Sequence, residues 1–488
     1  MGDSVEIKIE ELVRVSSSGS QVLPTSASPT NDHVDPWLPT TENETTDHWL
    51  PITESRQGGA FSATFLLICS GMGLQSFALP VALVSLGWYW GIISLTIGYV
   101  WQLYTILLLV NLHESVPPGI RYSRFMHLSV TAFGMKLGKL LSLFPVLYLS
   151  GGTCVLLIIN GGSCLRSLYL EMCGPDHCTS RPLSGAEWYL IFIIIAVILS
   201  QISPNLNSAT KVAAIGTIAA IIYTTLLVVL SLVQDRPEAS SLYSVKHAPK
   251  RQKDIFGAIN ALGLIAFAFR GHNVVLDIQG TISTLKNRPS KGPMKRGVAI
   301  SYLVIAACFY PLAIAGYWCY GNKLNMSDNM PLLRSFMDYH RDSMPKFVRA
   351  IIYLLVVIHF LSIFQIYGMV VWDNLERIYV TKKNKRCPKL LRGAIRALFG
   401  GFVYFVAVAL PFLGVLGALL GGLTTVPVTF VYPCLMWIII RNPRRTSPMW
   451  YLNVGIAFLG IVLIVLIEIA AIRTLVVYGI KASFFHPK

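Results

Sequence analysis

Long apolar runs alternate with short polar stretches along most of this chain. The runs are about 18 to 28 residues each, long enough for a helix to cross roughly 30 Å of hydrocarbon. About eleven are present, with cores near 61–86, 89–112, 138–169, 187–203, 212–233, 255–282, 297–320, 347–372, 393–411, 413–440 and 451–475. The fourth is short and the ninth meets the tenth softly at Pro411, so the pattern allows about ten to twelve spans. Two runs are interrupted. Ser70-Gly71-Met72-Gly73 breaks the first, and Arg270-Gly271-His272-Asn273 breaks the sixth, about 200 residues later. A lipid-facing helix hides its own amides, so a break is tolerated where the freed backbone meets protein or lines a polar cavity. Two breaks at corresponding positions in two halves of a membrane protein point to a central binding site.

Composition supports this pattern. The chain has 488 residues, 54% hydrophobic and 13% charged, which is too apolar for a soluble domain of that size. Its formal charge of +16 invites a nucleic-acid partner, but the placement of the charge argues against one. Basic residues cluster in short loops: Lys286, Arg288, Lys291, Lys295 and Arg296; Lys382, Lys383, Lys385, Arg386, Lys389 and Arg392; Arg441, Arg444 and Arg445. All three loops fall on one side of the expected topology, which the positive-inside rule makes cytoplasmic. The N-terminus is then inside and the tail at 476–488 outside. One loop, 235–254, carries Arg236, Lys246, Lys250, Arg251 and Lys253 on the other side and is outvoted.

Residues 1–56 are polar and hold no apolar run, so they read as a disordered cytoplasmic tail rather than a signal peptide. Residues 57–475 are the membrane domain. Cys173 and Cys178 share an expected external loop, where a disulfide is chemically permitted. Asn325-Met326-Ser327 lies in another and is open to glycosylation, whereas Asn43-Glu44-Thr45 falls in the tail. No metal-ligand cluster, nucleotide loop or nucleophile–base pair is visible, so neither an enzyme nor a metal or cofactor site is expected.

The breaks have a chemistry of their own. At the bilayer midplane an amino acid needs donors for its carboxylate and acceptors for its ammonium. A half-helix beginning near Leu74 points free N–H groups and its positive dipole end at the gap. The half ending near Cys69 offers carbonyls. Gly71 and Gly73 let a ligand approach the backbone, or let helices pack closely. At the second break, Arg270 and His272 lie mid-helix beside Phe267 and Phe269. An intramembrane arginine must face a cavity or a partner. Arg270 holds a substrate carboxylate or stands as a tethered cation that changes the proton coupling, unless it pairs with an acid such as Asp277 or Glu376. His272 is a candidate for a coupled proton, since imidazole titrates near neutrality, or is a neutral ring satisfied by a backbone carbonyl.

Several ordered segments resemble the lysine/histidine transporter branch of the plant amino acid/auxin permease family. They are Trp49-Leu50-Pro51-Ile52-Thr53, Leu79-Pro80, Leu86-Gly87-Trp88, Leu112-His113-Glu114, Gly271-His272-Asn273-Val274-Val275-Leu276, Pro289-Ser290-Lys291-Gly292-Pro293-Met294, Gly316-Tyr317-Trp318, Tyr320-Gly321-Asn322, Pro411-Phe412 and Tyr432-Pro433-Cys434. The resemblance covers about Trp49 to Leu475. It implies an all-α, leucine-transporter-like inverted-repeat fold with discontinuous helices 1 and 6. The repeats are then about 57–233 and 255–440, with an extra helix at 451–475. It also implies amino acid uptake driven by a proton gradient, usually at the plasma membrane. By the same resemblance, Gly71, Met72 and Gly73 (with Ser70 beside them) match the carboxylate site, and Phe267 to His272 the opposing half. Arg270 departs from the small residue expected there, which points to acidic or otherwise altered substrates. Two other functions stay open: a non-transporting amino acid receptor, and a carrier of auxin-like or related amino compounds.

Overall fold

A computed structural model describes residues 47–114, 121–173, 183–233, 251–284, 289–324, 328–478 and 484–485, with backbone alone for 251–254, 413–418 and 478. Cys178 and Asn325 lie outside the described residues. The described residues are almost wholly helical, with one isolated bridge between Gly58 and Ile282. In chain order the helices are α1 (Ala60–Gly71), α2 (Gln75–Leu112), α3 (Phe125–Phe133), α4 (Met135–Cys173), α5 (Gly185–Ile202), α6 (Leu206–Val233), α7 (Arg251–Ala266) and α8 (Val275–Gly280). Then follow α9 (Lys291–Tyr320), α10 (Pro331–Tyr339), α11 (Lys346–Lys383), α12 (Lys389–Ala409), α13 (Leu413–Val426), α14 (Tyr432–Arg441) and α15 (Pro448–Tyr478).

Among the described residues, nine helices are long and apolar enough to cross a membrane, and α1 and α7 are shorter apolar helices. The count resolves to eleven spans because two local devices reorganise it. Gly87 adopts φ 74°, a left-handed conformation that a side chain resists, and divides α2 into two spans at 75–86 and 88–112. The first span is thus α1 with 75–86, and the sixth is α7 with α8. A π-helical turn, Pro427–Val431, joins α13 to α14 within the tenth. The two broken spans stand five apart in order, so they cross in opposite senses, as an inverted repeat requires. The architecture is the leucine-transporter-like fold.

Packing divides the helices into two groups. Helix α9 packs on α1 and α2, α7 and α8 pack on α2, and α8 also touches α1. The second group joins α4, α5, α11 and α12, with α6 against α11. The groups meet where α1 and α9 touch α6, and where α1 touches α11.

Three boundaries lie away from the expected ones. Helix α11 runs to Lys383, beyond the expected apolar core ending at Trp372, because Asp373, Glu376 and Arg377 continue it with their charges paired. The tail does not run intact to residue 56. Leu50, Ile52 and Thr53 are buried, and the Ile52 amide donates to Asp373 at 3.1 Å. Asp47 pairs with Arg124 at 2.7 Å and Arg377 at 3.2 Å, while Arg124 also reaches Asp373 at 2.6 Å. Glu54 pairs with Arg392 at 2.8 Å. Residues 47–56 therefore form a strap across one face of the bundle. The extra helix likewise extends to Tyr478, three residues into the segment expected to be tail.

Candidate functional site

The two breaks face each other. Helix α1 ends at Gly71 and α2 begins at Gln75, while α7 ends at Ala266 and α8 begins at Val275. A β-carbon added to Gly71 would lie 3.5 Å from the Arg270 carbonyl oxygen and 2.7 Å from Ile305 Cδ1. Gly271, with φ 141°, carries the second break through a conformation that side chains rarely adopt.

The amides of Gly73, Leu74 and Gln75 take no acceptor among the described hydrogen bonds, and they cap the N-terminal end of α2. The carbonyls ending α1 are differently placed. His359 Nε2 donates to the Cys69 carbonyl at 3.2 Å, the Tyr367 hydroxyl donates to that of Ser70 at 3.1 Å, and Gln75 Nε2 donates to that of Gly71. The acceptors expected at this end are thus already used by side chains from α11 and α2. On the opposite side, Tyr302 fills the Phe269 carbonyl at 3.2 Å, and the carbonyls of Phe267 and Ala268 take no described amide.

Arg270 reaches out of the second break toward the other helix group. Its Nη2 donates to Thr153 Oγ1 on α4 at 3.0 Å, and its guanidinium carbon sits 5.6 Å from the Tyr367 ring centre on α11. Neither suggested acid pairs with it. Glu376 pairs with Arg392 at 3.0 Å, and Asp277 lines a small pocket with Arg124. Tyr367 therefore touches both breaks, through its hydroxyl to Ser70 and its ring to Arg270.

Other expected site residues point elsewhere. Phe269 is wholly buried against Tyr99 on α2 and Tyr302 and Phe309 on α9. The Phe267 ring packs against Gly421 on α13. Met72 is fully buried, and its amide closes the last turn of α1 on Ile68. His272 turns toward α2, where its Nε2 lies 3.0 Å from Thr105 Oγ1 and 3.2 Å from the Gln102 carbonyl, and its buried Nδ1 has no partner. Sequence reading missed Thr153, Tyr367 and His359. His359 accepts from the Tyr223 hydroxyl at 3.1 Å while donating to Cys69, so it ties α11, α6 and α1 together. A histidine in the eighth apolar run was the available signal, since a buried imidazole needs two partners. Among the described residues, no group of acids, histidines and cysteines is arranged to hold a metal.

Opposed broken helices with polar side chains between two helix groups are the arrangement found in secondary-transporter folds. Residues 56–473 match the family described as transmembrane amino acid transporter protein, and the chain belongs to that family. It is 46% identical to lysine histidine transporter-like 8 of Arabidopsis thaliana over 453 residues, covering 93% of this chain and 83% of that one. Lysine histidine transporter-like 7 of the same plant is 42% identical over 454 residues, covering 93% and 90%. In three dimensions the chain is similar to the crystal structure of MhsT in complex with L-phenylalanine, with a TM-score of 0.57 and 13% identity over 86% of this chain and 99% of that one. That likeness concerns the fold.

Proposed function

We propose that the chain is a proton-coupled amino acid symporter working by alternating access. The observation that carries this reading is the meeting of the two breaks at Gly71 and Arg270, with unused amides at residues 73–75 and unused carbonyls at residues 267 and 268. Such a gap offers opposite partial charges to the two ends of an amino acid without a dedicated side chain for each. Family membership supports the cargo.

In this reading the face carrying the strap and the three basic loops is cytoplasmic, as the positive-inside rule favours. The N-terminus lies inside, the tail after α15 outside, and the membrane is the plasma membrane. Opening toward the cytoplasm separates α1 from α11 and so breaks the ties of Asp47 and Ile52 to their partners. His272 offers the coupled proton an unpartnered buried nitrogen, Nδ1.

The test is uptake of labelled amino acids into proteoliposomes with and without an inward proton gradient. Accumulation that rises with the gradient is expected. Ligand binding without gradient-stimulated accumulation overturns the symporter in favour of a receptor.

A further inference from the structure

Buried arginines among the described residues are matched to acceptors, and the half-buried Arg270 stands apart from them. Arg124 and Arg377 meet Asp47, Arg349 meets Glu171 at 2.8 Å, and Arg392 meets Glu54 and Glu376. Arg396 has no carboxylate among the described ion pairs, but it donates to the carbonyls of Ser200, Ser203 and Pro204 and lies over the Trp372 ring. Arg270 has one hydroxyl and one ring face, and among the described residues no carboxylate lies within ion-pair distance of it. The Thr153 hydroxyl spends its own proton on the Leu149 carbonyl, so it offers the guanidinium a lone pair and no charge. An arginine at membrane depth is costly unless it meets a counter-charge or a polar ligand.

The rest of the gap is unbalanced in the same sense. Carbonyls at Cys69, Ser70, Gly71 and Phe269 are filled, whereas the amides at 73–75 are not. The amides at 73–75 and the Arg270 guanidinium are thus two separate donor groups at the gap. An amino acid with one carboxylate would engage either the α2 amides or Arg270 and leave the other unmet. A second carboxylate removes the conflict.

We propose that Arg270, positioned by Thr153 and Tyr367, is the receptor for the side-chain carboxylate of an acidic amino acid substrate. The α-carboxylate then takes the amides at 73–75, and the ammonium takes the carbonyls of Phe267 and Ala268. This assignment rests on the transporter reading and narrows it to dicarboxylic substrates. The guanidinium fork suits a planar carboxylate, whereas a side-chain amide presents one acceptor and an NH₂ group that opposes the cation.

Isosteric pairs test it. In proteoliposomes with an inward proton gradient, wild-type uptake of L-glutamate and L-aspartate should exceed that of L-glutamine and L-asparagine by roughly 10- to 100-fold at subsaturating concentration, the scale of a charge-assisted bidentate contact. Arg270→Gln should collapse that ratio, and Arg270→Lys should restore part of it. Calorimetric titration of wild-type protein in detergent with glutamate and glutamine reads the same preference without transport. Equal or better handling of the amides by the wild type in both assays overturns the proposal and leaves the symporter standing. Glutamate preference in titration without gradient-driven uptake of any amino acid supports the subsite and removes the symporter. Equal loss of acid and amide uptake in Arg270→Gln, at unchanged membrane amount, makes the arginine structural and also overturns the proposal.

Discussion

The Tyr367 hydroxyl donates to the Ser70 carbonyl at 3.1 Å, so a side chain of α11 caps the broken end of α1. Its ring meanwhile lies beside the Arg270 guanidinium. Tyr367→Phe keeps the ring and removes the donor, leaving a buried carbonyl without its partner. Loss of one such bond costs about 1 to 2 kcal/mol. Uptake efficiency, measured as Vmax/KM at equal surface amount, should fall roughly 5- to 30-fold. An unchanged value would mean that the Ser70 carbonyl finds another donor.

The His359 imidazole bridges the Cys69 carbonyl and the Tyr223 hydroxyl within a wholly buried setting. His359→Phe fills similar volume but strands an acceptor and a donor together. Each orphaned group costs about 1 to 3 kcal/mol, so the variant should melt well below wild type in detergent. Tyr223→Phe removes only the hydroxyl and should cost less. A double-mutant cycle with a coupling energy near zero would show that the bridge contributes nothing.

Spans and breaks were legible because both are written in local composition: an apolar run of the right length, interrupted by glycine or charge. Arg270 was legible as an anomaly, but not its surroundings. Thr153 and Tyr367 are ordinary residue types about 100 residues away on either side, and only the fold brings them to the guanidinium. Unwinding also erased direction. Residues 267–274 have no helical period, so nothing local told that Phe269 and His272 face α2 and α9 rather than the gap. The strap at 47–56 was hidden for another reason. Its composition is that of a tail, and its order comes from Arg124, Asp373 and Arg377, all remote in sequence.

A β-carbon at Gly71 would stand 2.7 Å from Ile305 Cδ1 on α9. Gly71→Ala therefore overpacks the contact between the broken helix and its neighbour, at a cost of about 1 to 3 kcal/mol. Since the clash is with the end of a side chain, Ile305→Val should relieve it. The double variant is expected to regain most of the thermal stability and uptake lost by Gly71→Ala. Failure of that rescue would place the demand for glycine in the backbone or the ligand.

Asp47 holds the strap to Arg124 and Arg377. Burial pushes its carboxyl up, but Arg124, Arg377 and Arg56 together hold it below the ordinary value of 3.8. Its contribution is thus complete above about pH 3.8 and is lost only as pH falls through the lower folded value. Asp47→Asn keeps the shape and removes the charge; Arg124 retains Asp373, while Arg377 loses its ion pair with Asp47. Breaking buried charge pairs in this way costs about 3 kcal/mol. A cysteine placed at Thr53 should then react faster with a charged thiol reagent in Asp47→Asn than in the parent, under matched conditions. Equal rates would mean that Ile52 and Glu54 hold the strap without Asp47.

The same face carries a proton sensitivity of opposite origin. Burial, with Arg377 and Arg124 beside it, holds His127 on α3 well below the ordinary imidazole value of 6.5. Arg377 Nη1 donates to His127 Nε2, a contact that only the neutral ring accepts. His113, at the end of α2, is lowered the same way by burial and by Arg121 and Arg56. The unfolded chain takes up these protons near pH 6.5 and the folded chain does not. Stability from both rings is therefore complete above that pH and lost progressively as pH falls below it. Each ring contributes up to about 1.4 kcal/mol per pH unit in that range. The melting temperature of the purified protein should fall from pH 6.5 toward pH 5, and His127→Asn should flatten the slope. A slope unchanged in His127→Asn and in His113→Asn would assign the acid sensitivity to other groups.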